Sequence, residues 1–383
     1  MSDDNPLPEL LALGTLGIGI YQLGSWAFSK FKNTDPANEV SESSNVFTRK
    51  TTIVEDENLS STVYDSNNTS KKLGDELARG GEGAVYPLFD RPEILVKIYH
   101  PEKLNKDGQQ LEQKIGEMIK LKDKFNHSSV CTPLLSVYND QRKWIGYAMK
   151  RGDGVPMTKL AHAVLYKKHF PHLDRSHVAC YLVNFINEVA LLHSMNIYIG
   201  DFNLNNVLCD PTSNNVTLID CDSYQLTTNG HSFPCLVGSP DLTPLEHHGR
   251  DFRTVVRTVE SDSFSLAIIL FKCLMLGRHP YDIVGGADPV SNMKNGVFPY
   301  GKGAKGLPPG HWYNIWSHMP YKLKDLFIKT FTEGANNIFM RPSLSEWKEA
   351  LELYKKEIKK DWHEKLIIPK DPKKAERRGS NVV

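Results

Sequence analysis

One polar loop between two apolar runs constrains this chain more than any other feature. Residues 192–208 read Leu-His-Ser-Met-Asn-Ile-Tyr-Ile-Gly-Asp-Phe-Asn-Leu-Asn-Asn-Val-Leu, and residues 216–222 read Val-Thr-Leu-Ile-Asp-Cys-Asp. Asp201 and Asn206 stand five apart in the loop, and Asp220 follows Asn206 by fourteen at the end of an apolar run. Each residue alone is an ordinary turn former. A loop and hairpin that brought these two acids and the amide together would supply oxygen ligands for Mg²⁺ and leave a separate carboxylate as a base. Their joint spacing is hard to obtain by chance.

Two features upstream fit the same chemistry. In Ala78-Arg79-Gly80-Gly81-Glu82-Gly83-Ala84-Val85, the three glycines allow the backbone to approach a polyphosphate and turn N–H groups toward it. A glycine-rich hairpin alone carries little information. A Walker P-loop is excluded, because no Gly-Lys-Ser/Thr follows and no helix begins there. Fourteen residues after Gly83, Lys97 interrupts the apolar run at residues 94–99. An ammonium in such a run needs a partner, or else an edge position from which it reaches water. The helical pattern of residues 111–121 offers Glu117 or Glu112 as the counter-ion.

The periodicity of the chain sorts into strands first and helices later. β-like runs fall at residues 85–88, 94–99, 134–138 and 144–149, and helical stretches at 177–194, 262–276 and 344–357. This order predicts an α+β domain with a small β-rich N-lobe and a larger helical C-lobe.

On these residues the chain resembles the eukaryotic-like protein kinase family, in order over residues 72–360. Residues 78–85 resemble the glycine-rich loop, and Val96-Lys97-Ile98 the strand that carries the phosphate-binding lysine. Residues 199–206 resemble the catalytic loop, and Asp220-Cys221-Asp222 stands where Asp-Phe-Gly is usual. Residues 238–246 are similar to the end of the activation segment, residues 262–281 to the central helix of the large lobe, and residues 337–343 to the segment whose Arg341 pairs with Glu246.

The resemblance implies a bilobal fold and transfer of the γ-phosphoryl group of ATP, with Mg²⁺, to Ser/Thr hydroxyls of a protein substrate. It implies a nucleotide site made of Ala78, Gly80, Gly81, Gly83, Val85, Lys97, Glu117, Met149, Asn206 and Asp220. In that site Lys97 holds the α- and β-phosphates and is oriented by Glu117, the better register, or by Glu112. Asp220 and Asn206 hold the metal ions, and Asp201 takes or orients the substrate hydroxyl proton. Residues 149–152 form the hinge that faces adenine.

The chain departs from the family at several positions. Ile199 and Gly200 stand in place of the usual histidine and arginine, which removes the usual partner of a phosphorylated activation segment. Asn203 replaces a lysine that would neutralise the γ-phosphate, and Cys221-Asp222 replaces Phe-Gly, adding a carboxylate beside the metal site. A divergent bacterial-type subgroup is similar in its Asp-x-Asn-x-x-Asn and Ile-Asp-x-Asp-Ser patterns. Two readings follow: an active protein kinase, or a nucleotide-binding pseudokinase acting as a scaffold.

The remaining segments differ in composition. Residues 10–28 carry no Asp, Glu, Lys or Arg and would reach ~28 Å as a helix, enough for a membrane anchor. Acids precede this run and Lys30 and Lys32 follow it, which places the kinase-like part on the cytoplasmic side; the alternative is a buried or partner-binding helix. Residues 33–71, rich in Ser, Thr and acids, read as a flexible linker, and residues 361–383 as a basic, weakly ordered tail. The formal net charge of +1 removes bulk charge as an argument for nucleic-acid binding. Six cysteines without CxxC spacing argue for a reducing compartment rather than a disulfide scaffold or zinc module.

Overall fold

The computed structural model describes residues 61–228, 230–301 and 306–373. The first lobe is a seven-stranded sheet of β1 (Thr62–Tyr64), β2 (Ser70–Lys72), β3 (Ala78–Arg79), β4 (Gly83–Pro87), β5 (Ile94–Tyr99), β6 (Pro133–Tyr138) and β7 (Trp144–Lys150). Their order is β2-β1-β6-β7-β5-β4-β3, with every pairing antiparallel. Helix α1 (Pro101–Lys120) leaves β5 and packs against β6 and β7.

Strand alternation directs the lysine. Along β5, Val96 and Ile98 join the outer cluster with Val63, Leu88 and Val137, whereas Leu95 and Tyr99 join the main core with Ile115 and Met118 of α1. Lys97 shares the face of Leu95 and Tyr99, so its stem points inward. Glycines let the neighbouring strands close on it. A Cβ on Gly146 would lie 1.9 Å from the Lys97 carbonyl oxygen, and one on Gly83 2.3 Å from that of Ile98. Gly146→Ala must therefore push β5 and β7 apart. The expected cost is about 2 kcal/mol, read as a lower denaturant midpoint at unchanged slope.

The second lobe begins with β8 (Val155–Pro156) and the single turns α2 (Met157–Leu160) and α3 (Tyr166–His169), followed by α4 (Arg175–Ser194). The strands β9 (Ile197–Tyr198), β10 (Val207–Cys209), β11 (Val216–Leu218), β12 (Gln225–Thr228) and β13 (His231–Phe233) form two small sheets, β11-β10-β8 and β13-β12-β9. Then come α5 (Val259–Leu274), α6 (Pro289–Lys294), α7 (Trp312–Ser317), α8 (Tyr321–Phe331), α9 (Glu333–Asn336) and α10 (Leu344–Lys359). Side-chain caps set the long helices: Asp174 with His177 starts α4, Thr258 with Ser261 starts α5, and Ser343 with Glu346 starts α10. Apolar on most sides, α5 runs through the core, and its Phe271 meets Phe298, Tyr300, Phe327 and Phe331 edge-on.

The expected α+β bilobal architecture is present, and two boundaries move. The sheet starts at Thr62 rather than after residue 71, because β1 pairs with both β2 and β6. Short polar strands give little periodic signal, and it is the contact of β1 with β6 that ties the β1–β2 hairpin to the sheet. The tail is likewise docked as far as it is described. Ile367 and His363 are buried, Arg175 N–H donates to the Lys365 carbonyl, and Asn314 Nδ2 donates to the Pro369 carbonyl. The expected anchor at residues 10–28 lies outside the described residues, among which no helix is long and apolar enough to cross a membrane.

Candidate active site

Between the lobes lies a cavity of about 300 Å³, lined by Gly80, Gly81, Gly83, Val85, Lys97, Asp201, Asp220 and Ser223 among others. Its roof is the β3–β4 turn, closed by Gly80 N–H donating to the Gly83 carbonyl at 2.9 Å. Glu82 at the tip of this turn is held by Lys103 of α1 at 2.8 Å. Ala78 lies outside the cavity, paired with Val85 in the sheet.

The floor is built by the loop after β9 and by the β10–β11 hairpin. Asp262 of α5 anchors the loop by accepting the N–H groups of Ile199 at 2.8 Å and Gly200 at 3.0 Å, and His193 Nε2 lies 2.9 Å from it. Asp201 is thereby fixed beneath the cavity, where its Oδ1 accepts from Ser239 N–H at 3.0 Å and Ser239 Oγ at 3.2 Å. Burial raises the Asp201 carboxyl above its usual value, against the pull of those two bonds. Asn206 ends the loop just before β10, and Asp220 follows β11. Ile219 N–H donates to the Asn206 carbonyl at 3.0 Å, which holds the two together. Asp220 adopts a left-handed conformation (φ 62°) that aspartate tolerates better than most residues.

Lys97 reaches this floor. Its Nζ lies 2.7 Å from Asp220 Oδ1 and 2.9 and 2.8 Å from the two oxygens of Asp222. Burial alone would discharge the amine, but the two carboxylates reverse that and hold its pKa above the ordinary lysine value. Asp222 also accepts from Tyr99 Oη at 2.6 Å and Tyr147 Oη at 2.8 Å. The expected partner of Lys97 on α1 is not observed. Glu117 faces Lys120 at 2.5 Å, and Glu112 is exposed. The inward face of α1 carries Leu111, Lys114, Ile115 and Met118, so neither acid points at Lys97. This periodicity was readable in the sequence, since 111, 115 and 118 are the apolar positions and 114 shares their side.

Other expectations resolve differently. Met149 is buried, paired in register with Leu95, and is not among the residues lining the cavity. Asn203 accepts from Asn205 N–H at 2.9 Å and caps the short turn that carries Asn206. Beside Gly200 (φ +69°) a Cβ would lie 3.1 Å from Arg257 Cγ. The buried Arg257 thus brings a guanidinium to the activation segment from another element, and its Nη2 donates to the Val237 carbonyl at 3.2 Å. Cys221 is fully buried and burial pushes its thiol well above the usual value, so it is an inert packing group. The expected Glu246–Arg341 pair is formed through two bonds, at 2.6 and 2.8 Å.

The donors present fit magnesium. Asn206 Oδ1 is buried with no hydrogen-bond partner, and Asp220 gives only Oδ1 to Lys97. Among the described residues no three His, Cys, Asp or Glu side chains form a metal cluster. Asn206 Oδ1 and the second Asp220 oxygen suit an ion that takes its remaining ligands from phosphate and water.

Comparison with known proteins agrees with this geometry. The family model described as "Protein kinase domain" matches residues 71–360. Protein kinase YegI of Escherichia coli O157:H7 is 29% identical over 314 residues, covering 78% of this chain and 47% of the relative. YegI of Escherichia coli strain K12 is 29% identical over 313 residues, with the same coverage. The chain thus spans about half the length of the curated relatives it matches. With glycine-rich turn, buried strand lysine and acid-bearing loop converging on one cleft, and the family match running over both lobes, the chain belongs to the protein kinase family.

Proposed function

We propose that this chain transfers the γ-phosphoryl group of ATP to Ser or Thr hydroxyls of a protein substrate, with Mg²⁺. The observation that carries the reading is the convergence of Lys97, Asp201, Asp220 and the glycine turn on one inter-lobe cavity. Lys97 would neutralise and orient the phosphates, and the N–H groups of the turn from Gly80 to Gly83 would cover them. Asp220 and Asn206 would hold the metal, which when bound supplies charge neutralisation at the β- and γ-phosphates. Asp201 would accept the hydroxyl proton. Support for this last role is local: Asp201 already accepts from the Ser239 hydroxyl, which stands in for the alcohol of a substrate. Little covalent work falls to the protein; fixed charges and positioning supply most of the rate.

Full-length protein incubated with labelled ATP, Mg²⁺ and a generic acceptor protein is expected to incorporate label into itself or the acceptor, in acid-stable phosphoserine or phosphothreonine. Chelating Mg²⁺ is expected to abolish the signal. Label independent of Mg²⁺ would sink the reading. Asn203 is committed to its cap and brings no cation toward the γ-phosphate, which favours the scaffold as the second reading. That reading wins if no label is incorporated while Mg·ATP raises the melting temperature.

A further inference from the structure

Lys97 sits in a charge arrangement that its helix cannot account for. Of the α1 residues buried in the core, the only ionisable one is Lys114, a second cation where a lysine partner is needed, and Asp107 on the cleft side of α1 is paired with Lys103 at 3.0 Å. It is buried, and burial pushes its pKa down to about 8, while Asp222 is among the groups that hold it up. Lys114 lines one small cavity with Asp222 and Ser223, and Asp222 is hydrogen-bonded to Lys97.

We propose that Asp222 is the positioning residue for Lys97, replacing a helix carboxylate with one supplied from the C-lobe two residues after the metal-holding Asp220. Three features of the structure support it. Both oxygens of Asp222 lie within 2.9 Å of Lys97 Nζ. Tyr99 and Tyr147, from two adjacent strands, each donate to one of those oxygens, so the carboxylate is oriented from the N-lobe side as well. Its side chain is 2% exposed, which keeps water from competing for the pair. Asp220 also touches Lys97, but only through Oδ1, which leaves its other oxygen for a metal ion. Asp222 gives both of its oxygens to the ammonium.

A consequence separates this arrangement from a helix-based pair. Asp222 is tied by chain to Asp220, so the ion pair links β5 directly to the metal turn, and a swing of α1 neither makes nor breaks it. The carboxylate that sets Lys97 comes from the turn after β11 and not from α1.

The inference rests on the nucleotide-binding role proposed for Lys97, and its test reads binding rather than transfer. The affinity of a fluorescent ATP analogue with Mg²⁺ is measured for wild type, Asp222→Asn, Lys97→Met and the double variant, and for Glu112→Gln and Glu117→Gln, with circular dichroism as the folding check. Asp222→Asn is expected to weaken binding roughly tenfold in the wild-type background, the loss of one charge-assisted contact. It should cause no loss in the Lys97→Met background, because it acts through that lysine. Glu112→Gln and Glu117→Gln should bind like wild type. If Asp222→Asn does not fold, Tyr147→Phe, which removes one donor to Asp222, should weaken binding in the wild-type background and not in Lys97→Met. Equal losses in both backgrounds, or a tenfold loss from either glutamate variant, would overturn the inference while leaving the kinase reading intact. The expected pattern without label transfer would retain the inference and remove the transferase reading. Failure of wild type to bind Mg·ATP would end both.

Discussion

Asp201→Asn is expected to lower label incorporation by about 10³-fold, within the range for loss of a positioned general base. The substitution is nearly isosteric, and Asn Oδ1 can still accept from the N–H and hydroxyl of Ser239, so the loop should keep its shape. Asp262 continues to anchor that loop through Ile199 and Gly200, which separates a chemical loss from a structural one. Nucleotide affinity is expected to stay near the wild-type value, because Lys97 and Asp220 are untouched. Single-turnover label transfer and analogue binding, measured on the same preparation, check both halves. A variant retaining more than roughly a tenth of the wild-type rate would remove Asp201 from the proton-transfer role.

The second large effect is on stability. Arg341 has a side chain only 1% exposed and gives two bonds to Glu246, one to the Gly334 carbonyl and one to the Glu260 carbonyl. Its guanidinium also lies 4.9 Å from the centre of the Phe264 ring. Glu246→Ala leaves a buried guanidinium without a counter-charge, at an expected cost of about 3 kcal/mol. For a domain of this size the melting temperature should fall by roughly 5 °C. The direction with pH follows from Glu246 itself. Burial would raise its carboxyl, but the Arg341 bonds outweigh burial and hold it below the usual value. A depressed folded value means that the stabilisation is present above the unfolded carboxyl value, ~4.3, and is lost as pH falls through the folded one. Wild type and variant melting curves should therefore converge toward acid pH. A variant within about 1 kcal/mol of wild type at neutral pH would show that the pair contributes little.

The pair linking residues 246 and 341 was legible in the sequence through resemblance, and so were Lys97, Asp201, Asn206 and Asp220. The core strands were legible from periodicity: the runs at 94–99, 134–138 and 144–149 fall within one residue of β5, β6 and β7. The termini of the domain were not. β1 and β2 are three residues each, joined as a hairpin that β1 alone ties to distant β6, and residues 361–373 dock by burying Ile367 and His363 and by accepting from Arg175 and Asn314 side chains of other elements.

Local order in the chain, an apolar run broken by one lysine and a loop with acids and amides at set intervals, was enough to single out the groups proposed to handle phosphate and metal. That order is short-range, and each group is positioned by its own strand, cap or turn. Which carboxylate holds Lys97 is different, because Asp222 lies 125 residues away and meets it only through the tertiary fold. Burial makes that choice. Inside the cleft an ammonium takes whichever acid the packing brings within hydrogen-bond reach, and the inward side of α1 brings Lys114 instead of Glu112 or Glu117.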